Sequence, residues 1–485
     1  MAPQTKFTKY LHELKGILQN DENKTISIVE VFDLFWNKKL DSLFSTLKSR
    51  GAGFSEILLK LILMSVSQMT VFRCVKISGS MSPGAKDAYY GVKNNPMIAW
   101  RAILIMMFHR FEYLTKKNKT VIHGLIRCLI ADDTTLQKCG KRMEGISRVW
   151  DHVFHRSVLG FKGLFLALSD GKSLLPFDFS MHNEKGKNPE KPFGMKKNEL
   201  KARYNKPRNE NSPGLQRKQT LIDTKVASLI SMLKEAFSKG VKAEYLLVDS
   251  WFTCEELIRF IFEKPAIYFL GMCKMGNAKY HYNRKFYSAK QLLNRCKRTM
   301  KAKRSRYISA RYYVIDVGYK NMMVRLYFSQ YGNQKTWNLL LTDNLLLSFD
   351  YAIKIYQIRW GIEVFFKEAK QYLRLGKCQS NDFDAQIADI SIIMMTYIML
   401  NLKRRFQAYE TIGEAFREVQ HELIEETLAE RLWGLFVEIL TSIFAMLEID
   451  PDALIELMLQ NDHYEKSFIS FLDESIRTEI VRKAA

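Results

Sequence analysis

Two predicted strands of this sequence end in aspartate residues. The apolar run HGLIRCLIADD ends in Asp132 and Asp133, and the run AEYLLVD ends in Asp249. Carboxylates just past the carboxyl end of a strand lie at the edge of an α/β sheet, where ligands commonly bind. Each of these aspartates alone is more often a turn former or a helix N-cap. A functional interpretation therefore needs a further acid from another part of the chain.

One predicted helix supplies that acid. The segment YQIRWGIEVFFKEAKQYL carries Tyr356, Arg359, Glu363 and Lys370. At about 100° per residue, all four lie within one stripe roughly 60° wide. An adjacent arc is apolar and predicts burial against a sheet; its members are Ile362, Phe365, Phe366, Ala369 and Leu373. A solvated amphipathic helix with an Arg359–Glu363 ion pair is the alternative that this geometry leaves open.

The segments IADDTTL, YLLVD and YQIRWGIEVFFKEAK together resemble the catalytic blocks of DDE transposases of bacterial insertion sequences. The resemblance is to the subgroup marked by Tyr, two residues, Arg, three residues, Glu, six residues and Lys. Positions 356, 359, 363 and 370 meet that spacing in full, and Trp360 beside the arginine also fits the family. The resemblance covers about residues 80–405 and implies an RNase H-like catalytic core that acts on DNA.

The resemblance implies a role for each matching residue. Asp133, Asp249 and Glu363 match the catalytic acids, and Asp133 is chosen because Thr134 and Thr135 follow it. Its neighbour Asp132 would point to the opposite face of a strand, so only one of the two can join the site. Contacts to DNA near the cleaved end are implied for Tyr356, Arg359, Lys370, Trp360 and Lys367.

The chemistry of phosphodiester cleavage accounts for three acids. Two Mg²⁺ ions, or Mn²⁺ as a substitute, activate the attacking oxygen and stabilise the leaving oxygen. Mg²⁺ keeps several waters and takes only one or two protein carboxylates, so Asp133, Asp249 and Glu363 suffice to hold both ions. Without metal, the clustered carboxylates repel one another, which predicts a mobile or partly protonated site.

The charge of the chain predicts a polyanionic partner. The 485 residues carry a net charge of +23, whereas residues 409–485 hold 17 acidic and 6 basic side chains, so residues 1–408 carry +34. Such an excess attracts nucleic acid, with binding that weakens in salt. Neither a GxxxxGK[ST] nor a GxGxxG motif occurs, which leaves no motif basis for an ATP-driven or dinucleotide-driven enzyme.

The seven cysteines are scattered without a CxxC pair, and the N-terminus has no signal-peptide apolar run; both features predict a reducing cytoplasm. The resemblance implies that this is the cytoplasm of a bacterium, close to the nucleoid. The longest apolar run, Ile390 to Leu400, is too short to span a bilayer. It therefore predicts a buried core helix and no membrane partner.

The order of predicted elements indicates an α/β fold: an RNase H-like mixed sheet interrupted by a β-rich insertion, with helical N- and C-terminal regions. Five regions follow from it. Residues 1–115 form a helical DNA-binding region, 116–264 and 346–408 the two parts of the catalytic core, 265–345 the insertion, and 409–485 an acidic helical region suited to dimerisation.

Three local features complete the prediction. Asp170-Gly171 between two apolar runs predicts a β-hairpin. Residues 182–218, with 11 basic and 4 acidic side chains, predict an exposed loop or mobile arm. Short helices near Lys86, Lys93 and Arg101 are compatible with a DNA-reading helix-turn-helix or with an ordinary packing unit.

Together these features predict a cut-and-paste transposase that acts on double-stranded DNA, both at its element's terminal repeats and in target DNA. It would work as a homodimer, with a hairpin intermediate as one route for the second strand. Trp337, Tyr312 and Tyr313 are candidates to hold a flipped base. Two alternatives remain: a repurposed sequence-specific DNA-binding protein without catalysis, and a stand-alone nuclease.

Overall fold

The structure, a computed structural model, shows a mixed α/β fold. It describes residues 26–36, 40, 52–78, 85–117, 124–332, 334–407, 409–423 and 446. Residues Ile28–Arg417 form one compact unit, while Met1–Ser27 and Glu418–Ala485 form another. Most of the predicted acidic region 409–485, with its proposed role in dimerisation, lies outside the described residues.

In the described part of the chain, twelve strands form a single sheet. They are β1 (Cys128–Gln137), β2 (Ser147–Asp151), β3 (Arg156–Ser169), β4 (Leu174–His182), β5 (Tyr245–Val248), β6 (Tyr268–Cys273), β7 (Lys279–Tyr282), β8 (Lys285–Ser288), β9 (Lys303–Arg304), β10 (Ala310–Tyr319), β11 (Met322–Tyr331) and β12 (Asn338–Thr342). The strand order is β2-β3-β1-β5-β6-β12-β11-β10-β7-β8, with β4 pairing β3 and β9 pairing β10.

Helices occur before, between and after these strands. They are α1 (Ile28–Phe35), α2 (Phe54–Val66), α3 (Val71–Ser78), α4 (Lys86–Lys93), α5 (Trp100–Lys117), α6 (Lys197–Lys201), α7 (Pro213–Gln219), α8 (Lys225–Ser238), α9 (Glu255–Phe262), α10 (Ala289–Thr299), α11 (Phe349–Gln357), α12 (Trp360–Tyr372) and α13 (Phe383–Gln407). Residues 412–423 are also helical.

The sheet is mixed in the way that the sequence predicts. Strand β3 is antiparallel to both β1 and β4, whereas β1 is parallel to β5 and β5 is parallel to β6. Three antiparallel strands followed by two parallel ones are consistent with an RNase H-like fold. Beyond β6 the sheet continues without a break through β12, β11 and β10, which pair antiparallel.

The hairpin predicted at Asp170-Gly171 is confirmed as the connection between β3 and β4. Gly171 has a φ of +86°, a left-handed conformation that glycine adopts without strain. Any side chain at this position would also collide with Leu125, whose Cβ lies 2.7 Å from the place a Cβ would take. The Asp170 carboxylate accepts backbone hydrogen bonds from Lys172 and Ser173 and thereby fixes the turn.

The central helix α13 is buried, as the apolar run within it predicts. Every residue from Ile390 to Leu400 is buried. By length and composition alone α13 is the one helix among the described residues that could cross a membrane, but 94% of its most apolar stretch is buried inside the protein. It packs against α5, α2 and β4, which makes it a core helix.

Residues 182–218 are largely exposed, as predicted, but the alternative of a mobile arm is wrong. This basic segment contains α6 and α7 and is fastened to two distant parts of the chain through buried ion pairs. Arg208 lies 2.6 Å from Glu144 and 3.0 Å from Asp384, and its side chain is fully buried. Lys206 contacts Asp384 at 2.7 Å. The acids that neutralise the segment are remote in sequence, which is why its local charge suggested a loop.

Two of the three cations suggested for a helix-turn-helix serve the fold instead. Lys93 donates to Asp389 on α13 at 2.8 Å, and Arg101 donates to Asp178 on β4 at 2.9 Å. Both charges are thus neutralised inside the protein. Helices α4 and α5 are in this respect a packing unit, and Lys86 alone of the three remains exposed.

Candidate active site

The register of two parallel strands sets the position of the first two acids. Ala131 of β1 pairs with Val248 of β5, the last residue of that strand. One position further stand Asp132 and Asp249, so the two carboxylates emerge side by side at the same edge of the sheet. They interact electrostatically.

The two neighbouring aspartates of β1 serve opposite faces of the sheet. Asp132 Oδ2 accepts a hydrogen bond from Arg359 Nη1 at 2.8 Å. Asp133 Oδ2 accepts one from Lys225 at 2.9 Å and lies 3.9 Å from Lys162. The structure therefore brings Asp132, not the predicted Asp133, onto the face of Arg359 and Asp249.

Packing explains why Asp132 faces the acidic edge. Asp132 pairs with Phe165 across β1 and β3, and opposed residues of antiparallel strands point to the same face. The Phe165 ring meets Phe365 and Phe366 of α12 with centroid separations of 5.7 and 5.3 Å. Helix α12 consequently covers the face of Asp132, while α8, which carries Lys225, covers the other face.

Glu363 reaches the edge from α12, where Arg359 joins it to Asp132. Arg359 Nη2 donates to Glu363 Oε1 at 2.5 Å while Nη1 of the same guanidinium holds Asp132. The side chain of Arg359 is 15% exposed, so this bridge is largely shielded from water. One cation thus neutralises an acid from β1 and an acid from α12.

The helix that carries these residues is not continuous. Helix α11 ends at Gln357 and α12 begins at Trp360, because the backbone tightens to i→i+3 hydrogen bonds at Ile358, Arg359 and Gly361. The single stripe predicted across both helices is therefore divided. Tyr356 nevertheless stays at the site, since its hydroxyl donates to the Val248 carbonyl at 3.3 Å. Burial raises the pKa of Tyr356, so this hydroxyl keeps its proton.

Asp249 is positioned by the turn that follows β5. Its Oδ1 accepts hydrogen bonds from the backbone N–H groups of Trp251 at 2.9 Å and Phe252 at 3.2 Å. The Thr253 hydroxyl donates to the Asp249 carbonyl at 3.0 Å. These contacts fix the orientation of the carboxylate and leave Oδ2 for another ligand.

The acidic edge, defined as Asp132, Asp249 and Glu363, favours a bound cation. Burial, together with the charge of Asp249, raises the pKa of Asp132 from 3.8 to about 7, although Arg359 acts in the opposite direction. A pKa this high means that the surroundings destabilise the ionised form of the carboxyl group. An additional positive charge beside Asp132 would relieve both the burial and the repulsion.

Two of the three carboxylates of the acidic edge are placed to bind a hard divalent ion. Asp132 and Asp249 offer carboxylate oxygens side by side, which is what Mg²⁺ and Mn²⁺ prefer. Glu363 is turned toward Arg359, and the described part of the chain contains no group of three or more His, Cys, Asp or Glu residues close enough to hold a metal. Glu363 Oε1 is hydrogen-bonded to Arg359, so Glu363 would join Asp132 and Asp249 at a metal through its second oxygen or after leaving the guanidinium.

The remaining predicted DNA-contact residues lie on α12. Lys370 donates to the Thr134 hydroxyl at 2.6 Å and so reaches the strand that carries Asp132. Lys367 is exposed, and Trp360 is 62% exposed beside Arg359. Lys367, Lys370 and Trp360 thus lie on the exposed side of the helix that brings Glu363 to the edge.

Three residues near the site escaped the sequence prediction. Lys162 and Lys225 flank Asp133, and the Lys225 ammonium lies 3.9 Å from the ring centroid of Trp251. Trp251 is 42% exposed and stands two residues after Asp249. The sequence contains one signal that marks this face: Lys162 is the only charged residue of the otherwise apolar run LGFKGLFLAL.

The aromatic residues predicted to hold a flipped base are engaged with one another. Tyr313 is 8% exposed and stacks on Trp337 with ring centroids 5.4 Å apart. Tyr312 stacks on Phe349 at 4.1 Å. Trp337 also meets cations, with the Lys297 ammonium 5.0 Å from its ring. Tyr312 and Tyr313 are therefore part of the packing of β10, and their prediction as base-holding residues receives no support from these contacts.

Two family models match the chain across this site. The model described as a DDE superfamily endonuclease matches residues 52–304, just over half of the chain, which include Asp132, Asp133 and Asp249. The model described as a transposase DDE domain matches residues 222–399, which include Asp249 and Glu363. No curated protein matches the chain significantly. The chain belongs to the DDE superfamily of transposases and endonucleases.

Proposed function

We propose that this protein is a DNA transposase that cleaves DNA at the terminal repeats of its element and joins the freed ends to target DNA. The proposal is supported by Asp132 and Asp249 at the ends of two paired parallel strands and by Glu363 of α12, which Arg359 joins to Asp132, within a chain of the DDE superfamily. The large positive charge of residues 1–408 supports DNA as the partner.

Asp132, Asp249 and Glu363 are the catalytic acids in this proposal. Asp132 replaces Asp133 in that role because its carboxylate, and not that of Asp133, lies beside Asp249 and Arg359. Asp133 instead anchors Lys225 and Lys162 on the opposite face of β1. The carboxylates of the acidic edge would hold two Mg²⁺ or Mn²⁺ ions, which when bound activate a water or 3′-hydroxyl and stabilise the leaving oxygen.

Arg359 is proposed to exchange partners when substrate binds. Before binding, it neutralises Asp132 and Glu363 and keeps two like charges from repelling each other. A DNA phosphate is a bidentate acceptor for a guanidinium, as a carboxylate is. Transfer of Arg359 to a phosphate would free Glu363 to turn toward Asp132 and Asp249, so the complete acid set would form only on DNA.

The DNA path is proposed to follow α12 away from the acidic edge. Lys370 and Lys367 would contact phosphates as point charges, and Trp360 and Tyr356 would lie next to the cleaved end. Strands β1, β3, β4, β5 and β6 would be the RNase H-like core, with β7 to β12 as its β-rich insertion. Cut-and-paste movement, a hairpin intermediate and a dimeric assembly are further parts of this proposal.

Cleavage of labelled DNA tests the proposal directly. The substrate is a duplex that carries the terminal repeat of the element, incubated with Mg²⁺ or Mn²⁺ and either the wild type or Glu363→Gln. We expect metal-dependent nicking that leaves a 3′-hydroxyl at the repeat, and loss of nicking but not of binding in Glu363→Gln. Addition of a second duplex should then give joined products.

Other outcomes favour the alternative functions. Specific binding without cleavage by the wild type would indicate a repurposed DNA-binding protein. Nicking without any joined product would indicate a stand-alone nuclease. Cleavage that Glu363→Gln retains in full would contradict the assignment of the acidic edge.

A further inference from the structure

The turn between β2 and β3 exposes apolar side chains. Residues 152–157 form an unbroken exposed run, in which Val153 is 82% and Phe154 is 56% exposed. Trp150, on the strand that leads into the turn, is 43% exposed. Scattered exposed apolar residues are ordinary, but a cluster of them at one protruding point indicates a binding surface. We name residues 150–157 the β2–β3 tip.

The tip is held in shape without a partner. The Asp151 carboxylate accepts hydrogen bonds from the backbone N–H groups of Val153 at 2.9 Å and Phe154 at 3.0 Å. The Arg156 guanidinium lies over the Phe154 ring, 5.6 Å from its centroid. Glu184 accepts a hydrogen bond from the Trp150 backbone N–H at 2.9 Å. The tip is therefore already ordered, and binding of a partner would cost little conformational entropy at the tip.

The base of the tip touches the strand that carries the acidic edge. Burial favours the neutral form of Asp151, but hydrogen bonds from the Phe154 backbone and the Thr135 hydroxyl hold the pKa of Asp151 below its usual value. Thr135 is three residues beyond Asp132 on β1. At about 3.3 Å per residue, Thr135 lies roughly 10 Å along β1 from Asp132, and alternation places its side chain on the face of Asp133. Asp151 also interacts electrostatically with Lys370 of α12, which contacts Thr134 on the face of Asp132.

The exposed charged side chains around the apolar tip are arginines. Arg148 and Arg156 are exposed, with His152 and His155 beside them. The two acids here, Asp151 and Glu184, each accept hydrogen bonds from backbone N–H groups of the tip, and Asp151 is buried. A surface that combines apolar side chains at its point with arginines at its flanks is complementary to duplex DNA, whose phosphates surround stacked bases.

We propose that the β2–β3 tip is a wedge that enters DNA next to the cleaved phosphodiester, with Phe154 and Val153 against the bases and Arg156 at a phosphate. The proposal rests on the proposed function, since it takes the transposase substrate as its DNA. Unstacking should therefore occur within the first few base pairs beside the cleavage point.

Fluorescence of an adenine analogue that brightens on unstacking locates the wedge. The analogue is placed, one duplex at a time, at each of the first six base pairs beside the cleavage point, and the protein is added without divalent metal. We expect the wild type to raise the signal at one or two adjacent positions among these six. Phe154→Ser should remove the increase and weaken binding by tenfold or more, because aromatic contacts to bases contribute strongly to affinity.

Phe286→Ser is the matched control. Phe286 is 70% exposed in the β7–β8 hairpin, so both variants remove an exposed phenylalanine from a hairpin. Equal signals and affinities for Phe154→Ser and Phe286→Ser, in a wild-type protein that cleaves the DNA, would overturn the wedge and leave the proposed function standing. A change of oligomeric state in Phe154→Ser, with DNA contacts unaltered, would assign the tip to a second copy of the chain and also overturn the wedge. A wild type that neither binds nor cleaves DNA would overturn the proposed function, and the wedge with it.

Discussion

Replacement of Asp132 by asparagine should make the metal-free protein less sensitive to rising pH. Burial and the neighbouring charge of Asp249 raise the pKa of Asp132 from 3.8 to about 7. The folded protein therefore binds this proton more tightly than the unfolded chain does. Folding stability is then lost as the pH rises from about 4 to about 7, because the buried carboxyl is forced to ionise.

The size of the effect follows from the shift. Three pH units at about 1.36 kcal/mol each amount to roughly 4 kcal/mol, of which about 2.5 kcal/mol falls between pH 5 and pH 8. The compact unit Ile28–Arg417 has 390 residues, and its unfolding entropy is on the order of 0.8 kcal/mol per kelvin. The free-energy change thus corresponds to about 3 °C in melting temperature.

Thermal melts in a chelating buffer measure this difference. The melting temperature of Asp132→Asn minus that of the wild type should rise by about 3 °C between pH 5 and pH 8. Mg²⁺ should reduce the difference at pH 8, because the wild type gains a ligand for its ionised carboxylate. Asp133→Asn is the control, since it removes the adjacent carboxylate on the lysine-lined face. A difference that stays constant with pH, or that Asp133→Asn reproduces, would refute the reasoning.

Three further predictions concern the fold and the DNA path. Glu144→Gln should lower the melting temperature by about 4–6 °C, because breaking a buried ion pair costs about 3–5 kcal/mol; the side chain of Glu144 is 2% exposed. Glu199→Gln, the control at an exposed ion pair, should change the melting temperature by less than about 1 °C. Equal decreases in melting temperature for the two variants would contradict a stabilising role for the buried ion pair of Glu144. Burial lowers the pKa of His182 to about 4, so the native state resists protonation and stability falls as the pH drops from about 6.5 to about 4. Over that pH range the wild type should lose about 3 kcal/mol of folding stability relative to His182→Gln. Melting temperatures that fall in parallel for the two proteins as the pH drops would contradict this prediction. Lys367→Ala should reduce the slope of log binding constant against log salt by about one, whereas an unchanged slope would place Lys367 away from the phosphates.

The sequence was most informative where short-range rules apply. Asp170-Gly171 predicted a turn because few residues other than glycine adopt its backbone conformation, and the hairpin is there. The apolar run from Ile390 to Leu400 predicted a core helix for an equally local reason. The spacing of Arg359 and Glu363 placed both side chains on one helix face, and they are hydrogen-bonded.

Features that depend on distant partners could not be read from the sequence. Alternation along a strand predicts that Asp132 and Asp133 face opposite sides, but which side carries the site depends on where α12 and α8 pack. Lys206 and Arg208 looked like surface charges because Asp384, which neutralises them, is more than 170 residues away. The break between α11 and α12 depends on backbone hydrogen bonding at Ile358 that composition does not encode.

A side-by-side cleavage assay of Asp132→Asn and Asp133→Asn tests the central claim most directly. Both variants lose one carboxylate from adjacent positions of β1, and both are compared with the wild type on the terminal-repeat duplex in Mg²⁺. Loss of an acid that holds a catalytic metal removes several kcal/mol of transition-state stabilisation, so Asp132→Asn should nick on the order of 10³-fold more slowly. Asp133→Asn should stay within about tenfold of the wild type. The opposite ranking, with Asp133→Asn inactive and Asp132→Asn active, would contradict the proposed active site.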